Sequence, residues 1–312
     1  MSKIWVVGGA TVDICGHAKN EILLHDSNIS SIDLSFGGVG RNIAEMCAIF
    51  SESINFISVF SNDSFGRAIY NDCLNLGMNL DYSLTSDKYP SSIYLAILDK
   101  DNDMYLGMSD MGILELLDIE LLDKALKDIK EDDYLVIDGN LSEEIASYVV
   151  NNTSATIVCD PVSVAKVNRL RNVIGEIDIY KPNKYEAKEY TGIEIVDEET
   201  ARSSLQWFID KGVKEIIITL SSKGLLLGTK EKAVWIKTRE AKMVNANGAG
   251  DTLLGTYISK RLEGMEAFEA IKYAMSAALI VVENEEGKKK VNSKIVEDSI
   301  EDLKIEEIVL WK

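Results

Sequence analysis

The segment Asn247-Gly248-Ala249-Gly250-Asp251 combines residue types that are suited to phosphoryl transfer. Apolar residues follow it at i, i+3 and i+4 spacing, so we expect a helix to begin near Gly250. The first N–H groups of a helix lack backbone partners, glycines let an anion approach them, and the helix dipole adds about half a positive charge. Asp251 would lie beside a bound phosphate, where a carboxylate can accept a proton. The turn alone does not establish this chemistry, because Gly-X-Gly before a helix is common.

A second glycine-rich segment, Gly37-Gly38-Val39-Gly40-Arg41-Asn42-Ile43-Ala44, is predicted to lead from a strand into a helix. Glycines allow a ligand to lie directly against the backbone, and Asn42 can both donate and accept hydrogen bonds. No Gly-Lys-Ser/Thr follows, and the spacing is not Gly-X-Gly-X-X-Gly, so the segment is neither a P-loop nor a dinucleotide fingerprint. Taken alone, it is equally compatible with a structural turn.

Asp13 follows the first predicted strand, in Gly8-Gly9-Ala10-Thr11-Val12-Asp13. A carboxylate at the carboxyl end of a core strand, near a crossover, can hold two vicinal hydroxyl groups of a sugar. A capping or turn role is the more common one for an aspartate in such a position. Asp13 is therefore a candidate for acceptor binding that needs support from other residues.

The composition limits the classes of partner. The chain has 312 residues and a formal net charge of −18, so we expect no nucleic acid as a partner. A polyanionic nucleotide would be held locally by backbone N–H groups, a few lysines and a divalent cation. For the basic run Lys288-Lys289-Lys290 we expect a solvated loop. Only His17 and His25 are present, which disfavours a His-rich metal site or a Ser-His-Asp triad.

Hydropathy and cysteine usage indicate a cytoplasmic protein. The N-terminus lacks the long apolar segment of a signal peptide, and no run approaches the roughly 18 apolar residues of a membrane span. The four cysteines are widely spread without a Cys-X-X-Cys pair, which is typical of reduced thiols. We therefore expect no membrane as a partner.

Apolar runs alternate with helical patterns along most of the chain. Buried strands are predicted at 4–8, 54–60, 134–138, 156–159 and 215–220. Helices are predicted near 42–50, 66–76, 117–129, 142–151, 185–190, 199–211, 251–262 and 266–282. This alternation indicates an α/β fold with a mostly parallel sheet that is covered by helices on both faces.

Two stretches, about 11–36 and 92–110, have period-two patterns instead. Within the second, a hairpin is predicted around Lys100-Asp101-Asn102. A sheet with one polar face beside an α/β core is a candidate lid that closes over a substrate and excludes water. Its edge strands would be exposed, which leaves a homodimer through the lid open.

Three motifs in combination resemble those of the ribokinase-like (PfkB) carbohydrate kinases. They are Gly-Gly-X-Gly-X-Asn at 37–42, Lys181-Pro182-Asn183-Lys184-Tyr185-Glu186-Ala187, and Gly-Ala-Gly-Asp at 248–251, and their order matches over nearly the whole chain. The resemblance implies one domain over residues 1–312, with a three-layer αβα ribokinase-like core, a mostly parallel sheet and a small β-sheet lid. It also implies ATP as co-substrate and Mg²⁺ as cofactor.

Further segments resemble the pseudouridine kinase branch of that family, which phosphorylates the 5′-hydroxyl group of its nucleoside. They are Ser91-Ser92-Ile93-Tyr94, Ser109-Asp110-Met111, Ser142-Glu143-Glu144, Asp160-Pro161-Val162-Ser163 and Val244-Asn245. The implied acceptor is pseudouridine. Ribose, fructose, a sugar acid and a purine nucleoside stay open, because such kinases would differ only in the lid and the strand ends. A nucleoside-binding protein without catalytic activity is a further alternative, which the retained motif residues disfavour.

Carried over position by position, the resemblance assigns roles to residues of this chain. The catalytic base would be Asp251, and the anion hole would be the helix start at Gly248, Ala249 and Gly250. The acceptor would contact Asp13, Gly38 and Asn42, with a further contact from Asn140 or Asp138. ATP would contact Asn183, Thr219, Ser221, Gly224, Asn247 and Ala277. Glu186 would organise Mg²⁺ through water.

One position departs from the common family pattern. Many relatives have Asp-Thr-Thr before Gly-Ala-Gly-Asp, whereas this chain has Asn245-Ala246-Asn247. In ribokinase-like enzymes the first Asp helps to hold an activating monovalent cation, and the neutral Asn245 would bind K⁺ more weakly. The pseudouridine kinase branch shares an Asn there, so the departure supports that acceptor and leaves K⁺ activation open.

Overall fold

The computed structural model describes residues 2–51, 53–244 and 247–312. These residues form the strands β1 (Ile4–Val7), β2 (Thr11–Ala18), β3 (Ser30–Gly37), β4 (Ile54–Ile57), β5 (Val59–Ser61), β6 (Leu84–Ser86), β7 (Ile93–Leu98), β8 (Met104–Asp110), β9 (Tyr134–Asp138), β10 (Thr156–Asp160), β11 (Ile179–Tyr180), β12 (Glu215–Thr219), β13 (Leu225–Gly228), β14 (Ala233–Lys237) and β15 (Glu306–Trp311). The α-helices are α1 (Val39–Phe50), α2 (Ser64–Asn75), α3 (Ile119–Leu126), α4 (Glu143–Asn151), α5 (Lys184–Thr191), α6 (Glu198–Lys211), α7 (Ala249–Leu262), α8 (Ala267–Glu283) and α9 (Ser293–Ser299). No helix among them is both long enough and apolar enough to span a membrane.

The central sheet has nine strands in the order β15-β14-β13-β12-β11-β10-β9-β1-β4. The six strands from β12 to β4 pair in parallel, and β13, β14 and β15 extend the sheet in antiparallel fashion. Parallel neighbours place their carboxyl ends along one edge, which is where open α/β sheets bind ligands. The chain therefore brings the residues after six different strands to one place.

Alternate residues of the central strands enter two apolar layers, as the pleat requires. On β1, Trp5 and Val7 belong to one layer, while Ile4 and Val6 belong to the other. The first layer includes side chains of α3, α4, α5 and α6, and the second includes side chains of α1, α2, α7 and α8. The predicted three-layer α/β core with a mostly parallel sheet is confirmed.

The predicted helices and strands are present with ends shifted by at most three residues, apart from one strand. The prediction of one strand over 54–60 is wrong, because the chain leaves the central sheet at Ser58 and β5 pairs with β6 instead. Strands β6, β11 and β13 to β15 and helix α9 were not predicted. Strand β11 has only two residues, which is too short to show a period of its own.

A four-stranded sheet in the order β3-β2-β7-β8, called the small sheet below, stands beside the core. Strands β7 and β8 form the predicted hairpin, and Asn102 adopts a φ of 64° in its turn. The register places Asp13, Tyr94 and Ser109 on one face of this sheet. Leu34, Ile14, Leu95 and Met108 form a row on the opposite face. The small sheet therefore has one polar face and one apolar face.

Candidate active site

Charged and polar side chains meet beyond the carboxyl edge of the central sheet. Asp138 ends β9, Asp160 ends β10, Lys181 follows β11 directly and Thr219 ends β12. The first turn of α7 approaches the same edge, since a Cβ added at Gly250 would lie 3.3 Å from the Nζ atom of Lys181. The predicted anion-binding helix start is thus located where an α/β sheet binds its ligand.

Helix α7 begins at Ala249, and Gly248 is its N-cap residue with a φ of 76°. A positive φ is accessible to glycine at little cost, so Gly248 allows the chain to turn sharply into the helix. Asp251 lies in the first turn, and its Oδ2 atom accepts a hydrogen bond of 2.8 Å from the Nδ2 atom of Asn42 on α1. Two motifs that are 209 residues apart in the chain therefore meet at the predicted base.

The environment of Asp251 raises the pKa of its carboxyl group from 3.8 to about 6. Burial is the main cause, and repulsion from Asp160 adds to it. The hydrogen bond from Asn42 and the charges of Lys181 and Lys288 act in the opposite direction. A carboxylate with a pKa nearer to neutrality is a better proton acceptor than an ordinary one, which suits a general base.

A buried ion pair lies under this first turn. The Nζ atom of Lys181 is 2.8 Å from the Oδ2 atom of Asp160, and both side chains are only 6 % exposed. Burial lowers the pKa of Lys181, but attraction from Asp160 and then from Glu186 leaves that pKa above its usual value. Both residues lie within the quoted motifs, but the motifs assign a role to neither. The ion pair was not predicted because Asp160 and Lys181 are 21 residues apart, at the ends of two strands that become neighbours only in the folded sheet.

Asp13 and the glycines at 37–38 form a tight group at the predicted acceptor site. The Oδ1 atom of Asp13 accepts a hydrogen bond of 2.7 Å from the Thr11 hydroxyl group, and burial raises the pKa of the Asp13 carboxyl group. A Cβ at Gly37 would lie 2.0 Å from Asp13 Oδ2, and one at Gly38 would lie 2.4 Å from the carbonyl oxygen of Gly9. Glycine is required at both positions because no side chain fits.

Asn140 and Asp138 take different places at the end of β9. Asp138 is fully buried, and its carboxylate accepts hydrogen bonds from the backbone N–H groups of Gly9, Gly40 and Asn140. Its Oδ2 atom also accepts a hydrogen bond of 3.0 Å from Asn140 Nδ2. Asp138 thus holds the backbone at Gly9 and at Gly40 in place, whereas Asn140 lines an open cavity. Only Asn140 borders space for an acceptor, and the further acceptor contact stays a prediction.

The cavity beside Asn140 has a volume of about 570 Å³, within the size range of small-molecule pockets. A Cβ at Gly9 would lie 3.1 Å from Asn140 Nδ2 and 3.4 Å from Leu114 Cδ1, so the cavity borders the predicted acceptor site. Its walls are lined by Ser109, Met111, Gly112, Leu114, Glu115, Leu117, Asn140, Leu141, Ser142, Glu143, Ile145, Lys166 and Arg169. The Nζ atom of Lys166 donates a hydrogen bond of 2.5 Å to Asn140 Oδ1. Lys166 lies in none of the motifs, so its position in the cavity was not predictable from them.

Four of the six residues predicted to hold ATP lie around the end of β12. Thr219 ends this strand and is bridged to Asn183, so the two meet although they are 36 positions apart. Ser221 and Gly224 belong to the turn into β13, with φ values of 58° and 85°. A Cβ at Gly224 would lie 2.0 Å from the carbonyl oxygen of Ile236, so the turn requires glycine.

Asn183 and Glu186 also form a capping box at the start of α5. Asn183 Oδ1 accepts hydrogen bonds from the N–H groups of Tyr185 and Glu186, and Glu186 Oε2 accepts a hydrogen bond of 2.7 Å from Asn183 N. Burial and then repulsion from Asp160 raise the pKa of Glu186 from 4.5 to about 7. A nearby divalent cation would favour the ionised form of this buried carboxylate, so the residues fit Mg²⁺.

Such an ion would take most of its ligands from water and phosphate, because Mg²⁺ usually binds one or two carboxylates plus substrate phosphates. The described residues contain no group of three or more His, Cys, Asp or Glu side chains that would hold a metal by themselves.

The remaining predicted residues have less informative positions. Asn247 lies in the turn before α7, and Ala277 is fully buried in an apolar cluster with Met46, Val281 and Val296. Asn245, the predicted residue of a monovalent cation site, lies outside the described residues. The roles assigned to these three residues stay predictions.

Comparison with known proteins identifies relatives over almost the whole chain. Residues 1–293 match the model of the pfkB family carbohydrate kinases. The pseudouridine kinase of Escherichia coli K12 is 26% identical over 275 residues, which cover 88% of each chain. The guanosine-inosine kinase of Exiguobacterium acetylicum is also 26% identical, over 92% of this chain and 96% of that protein. The structure of Arabidopsis thaliana ribokinase complexed with ribose and ATP superposes with a TM-score of 0.83 at 20% identity, over 96% of this chain and 99% of that one, and supports the fold.

Proposed function

Since the chain belongs to the pfkB family of carbohydrate kinases, we propose that it transfers the γ-phosphoryl group of ATP to the 5′-hydroxyl group of a nucleoside, with pseudouridine as the preferred acceptor. Kinases of this family use ATP with Mg²⁺. The main support for a nucleoside is the cavity of about 570 Å³ next to the predicted acceptor site. A ribose moiety held by Asp13 and Asn42 would leave this space for a base.

In the proposed reaction, Asp251 accepts the proton of the 5′-hydroxyl group of the nucleoside. The oxygen of that hydroxyl group forms a bond to the γ-phosphorus atom. The bond from that phosphorus to the bridging oxygen of ADP breaks. The N–H groups at the start of α7 and the charge of Lys181 lie where negative charge on the transferred group would need stabilisation. Mg²⁺, held near Glu186, would neutralise phosphate charge. The polar face of the small sheet, with Asp13 and Tyr94, would close over the nucleoside and exclude water.

The chemistry of the cavity favours a base with carbonyl groups. Lys166 carries three N–H donors, and one of them is directed at Asn140 Oδ1. A free ammonium N–H is complementary to the exocyclic oxygen of uracil, hypoxanthine or guanine, and it repels the exocyclic amino group of adenine. The carboxylates of Glu115 and Glu143 line the same cavity. They offer acceptors for the N1–H group, which pseudouridine has and uridine lacks. The names of the two kinases above, for pseudouridine and for guanosine and inosine, are consistent with an oxo-base.

The Lys166→Met variant tests the assignment of this cavity. We expect kcat/KM for pseudouridine to fall about 10- to 100-fold, which corresponds to the loss of one hydrogen bond to a charged group. The value for ribose should change less than about twofold, because ribose does not reach the cavity. An ADP-release assay with both acceptors measures the two constants.

The exposed Lys127→Met variant is the matched control, since it removes the same charge away from the cavity. Equal losses for pseudouridine and ribose in Lys166→Met would remove the cavity from the account. Preference of the wild-type protein for ribose, fructose or a sugar acid would replace the nucleoside by another acceptor of the family.

We also propose a homodimer through the small sheet. Ile32, Leu34, Leu106 and Met108 are exposed on its apolar face, and strands β3 and β8 are its free edges. An apolar face beside an unpaired edge strand is suited to burial against an identical copy.

Sedimentation velocity at micromolar concentration tests the dimer. We expect a dimer for the wild-type protein and a monomer for Leu34→Asp, because a charge in the contact would be buried without a partner. Val196→Asp changes an exposed apolar residue outside the small sheet, and this variant should remain dimeric. A monomeric wild-type protein would contradict the proposal.

A further inference from the structure

The side chain of Lys288 reaches from a 3₁₀ turn (Gly287–Lys290) into the space between α1 and α7. Its Nζ atom lies 2.5 Å from Asn42 Oδ1 and 2.5 Å from Glu45 Oε2. Its Cδ atom is 3.2 Å from the position of a Cβ added at Gly248. The side chain is 17 % exposed, whereas Lys289 and Lys290 are exposed to solvent. The expectation of a solvated loop therefore fails for Lys288.

These contacts determine how the amide group of Asn42 is oriented. Its Oδ1 atom faces two cationic donors, Lys288 Nζ at 2.5 Å and Arg41 Nη1 at 3.2 Å. A flipped amide would direct its N–H groups at both cations, so the oxygen has to face them. The Nδ2 atom is then free to donate to Asp251 Oδ2, 2.8 Å away. The hydrogen bonds therefore run in one direction, from Lys288 to Asn42 and from Asn42 to Asp251.

We propose that Lys288 is a positioning residue for phosphoryl transfer, which orients Asn42 toward Asp251 and holds the start of α7 against α1. The proposal rests on the kinase chemistry proposed above and on Asp251 as the base, but on no particular acceptor. Lys288 acts through Asn42 and through its charge, since both of its short contacts are to protein side chains on α1. Arg41 alone would leave the Asn42 oxygen with the longer of its two cationic contacts.

Lys288 also contributes to the electrostatics of the base. The charged groups around Asp251 are Asp160 at the end of β10, Lys181 after β11 and Lys288, and Asn42 on α1 supplies a hydrogen bond. Asp160 raises the pKa of Asp251, and the other three lower it. Removal of the Lys288 charge therefore raises the pKa of the base, so that activity on the acidic side is lost at a higher pH.

The test compares Lys288→Met, Lys288→Gln and Lys288→Arg with the control Lys289→Met. The kinetic constants are measured against pH, with ATP and whichever acceptor the wild-type protein phosphorylates. For Lys288→Met we expect kcat to fall about tenfold or more near pH 6.5 and less near pH 8.5, while KM for ATP changes less than about twofold. Lys288→Arg should keep the wild-type acidic midpoint because it keeps the charge. Lys289→Met should match the wild type throughout.

Lys288→Gln separates charge from hydrogen bonding and remains informative if the Met variant is unstable. It keeps an N–H donor for Asn42 without a charge, so its acidic midpoint should lie above that of Lys288→Arg. A ¹³C titration of the Asp251 carboxyl group gives the same comparison without any acceptor, which separates this proposal from the one about the substrate. Identical midpoints for Gln and Arg, or a Met variant that is indistinguishable from Lys289→Met, would overturn the role of Lys288.

Discussion

Replacement of Asp251 by asparagine is expected to lower kcat about 10²- to 10⁴-fold, the range typical of a lost general base. The amide has nearly the same shape and can still accept the hydrogen bond that Asn42 donates, but it cannot take a proton. Binding of the nucleoside and of ATP should stay near the wild-type values, because neither depends on the proton transfer. Near-native turnover in this variant would exclude Asp251 as the base.

The same substitution is expected to stabilise the protein at alkaline pH. The pKa of Asp251 is about 6 in the folded protein and 3.8 as a model value, so the folded state favours the protonated form. Such a group favours folding below its unfolded pKa, and this contribution is lost as the pH rises through about 6. At pH 8 the ionised, buried carboxylate therefore costs on the order of 1 to 3 kcal/mol, which Asp251→Asn removes.

Urea unfolding at several pH values measures this gain. The free energy of unfolding of Asp251→Asn should exceed that of the wild type above about pH 7, and the difference should shrink as the pH falls through about 6. Asp298→Asn, which removes an exposed charge, is the control for the general effect of the −18 net charge. Equal gains in both variants would mean that the local environment of Asp251 is not the cause.

Replacement of Lys181 by methionine is expected to lower the free energy of unfolding by about 3 to 5 kcal/mol, since it leaves a buried carboxylate without its partner. Asp160 is 6 % exposed and pairs with Lys181 at 2.8 Å. The loss of the Lys181 charge would also raise the pKa of the neighbouring Asp251 and Glu186, because that charge lowers both. Turnover near neutral pH should also fall, because a larger fraction of Asp251 would be protonated and the transferred group would lose the charge of Lys181.

Two further variants isolate the buried ion pair. The double variant Lys181→Met/Asp160→Asn should recover much of the lost stability, because it removes the unpaired charge as well. Lys214→Met breaks an ion pair with Asp178 in which the lysine side chain is 76 % exposed, and it should cost less than about 1 kcal/mol. If Lys181→Met is no more destabilising than Lys214→Met, burial does not make this pair important.

The strongly patterned parts of the sequence predicted most of the fold. Long helices such as α6 and α8 and the apolar strands of the parallel sheet have a clear period, and their ends shifted by one or two residues at most positions. Strand β5 was misassigned because the apolar run through Ser58 does not show that the chain changes sheets there. Strand β11 has two residues, which contain no period.

The site was predictable where glycines and motif residues mark it, and not where tertiary contacts assign different roles to similar residues. Lys288, Lys289 and Lys290 are adjacent and identical in type, yet only Lys288 reaches α1. Asp138 and Asn140 are two positions apart at the end of β9. Asp138 binds backbone N–H groups, whereas Asn140 forms part of the cavity wall. Lys166 lies outside every motif and reaches the cavity from the segment after β10.

The most direct test of the central proposal is the rate of ADP formation by the wild-type protein with ATP and Mg²⁺, measured with pseudouridine, uridine and ribose at equal concentrations. We predict that kcat/KM for pseudouridine exceeds that for ribose by at least about tenfold, because the contacts in the cavity add to those of the ribose moiety. The product should carry its phosphate on the 5′-oxygen. A value for ribose equal to or above that for pseudouridine would contradict the account, and so would the absence of ADP formation with any nucleoside.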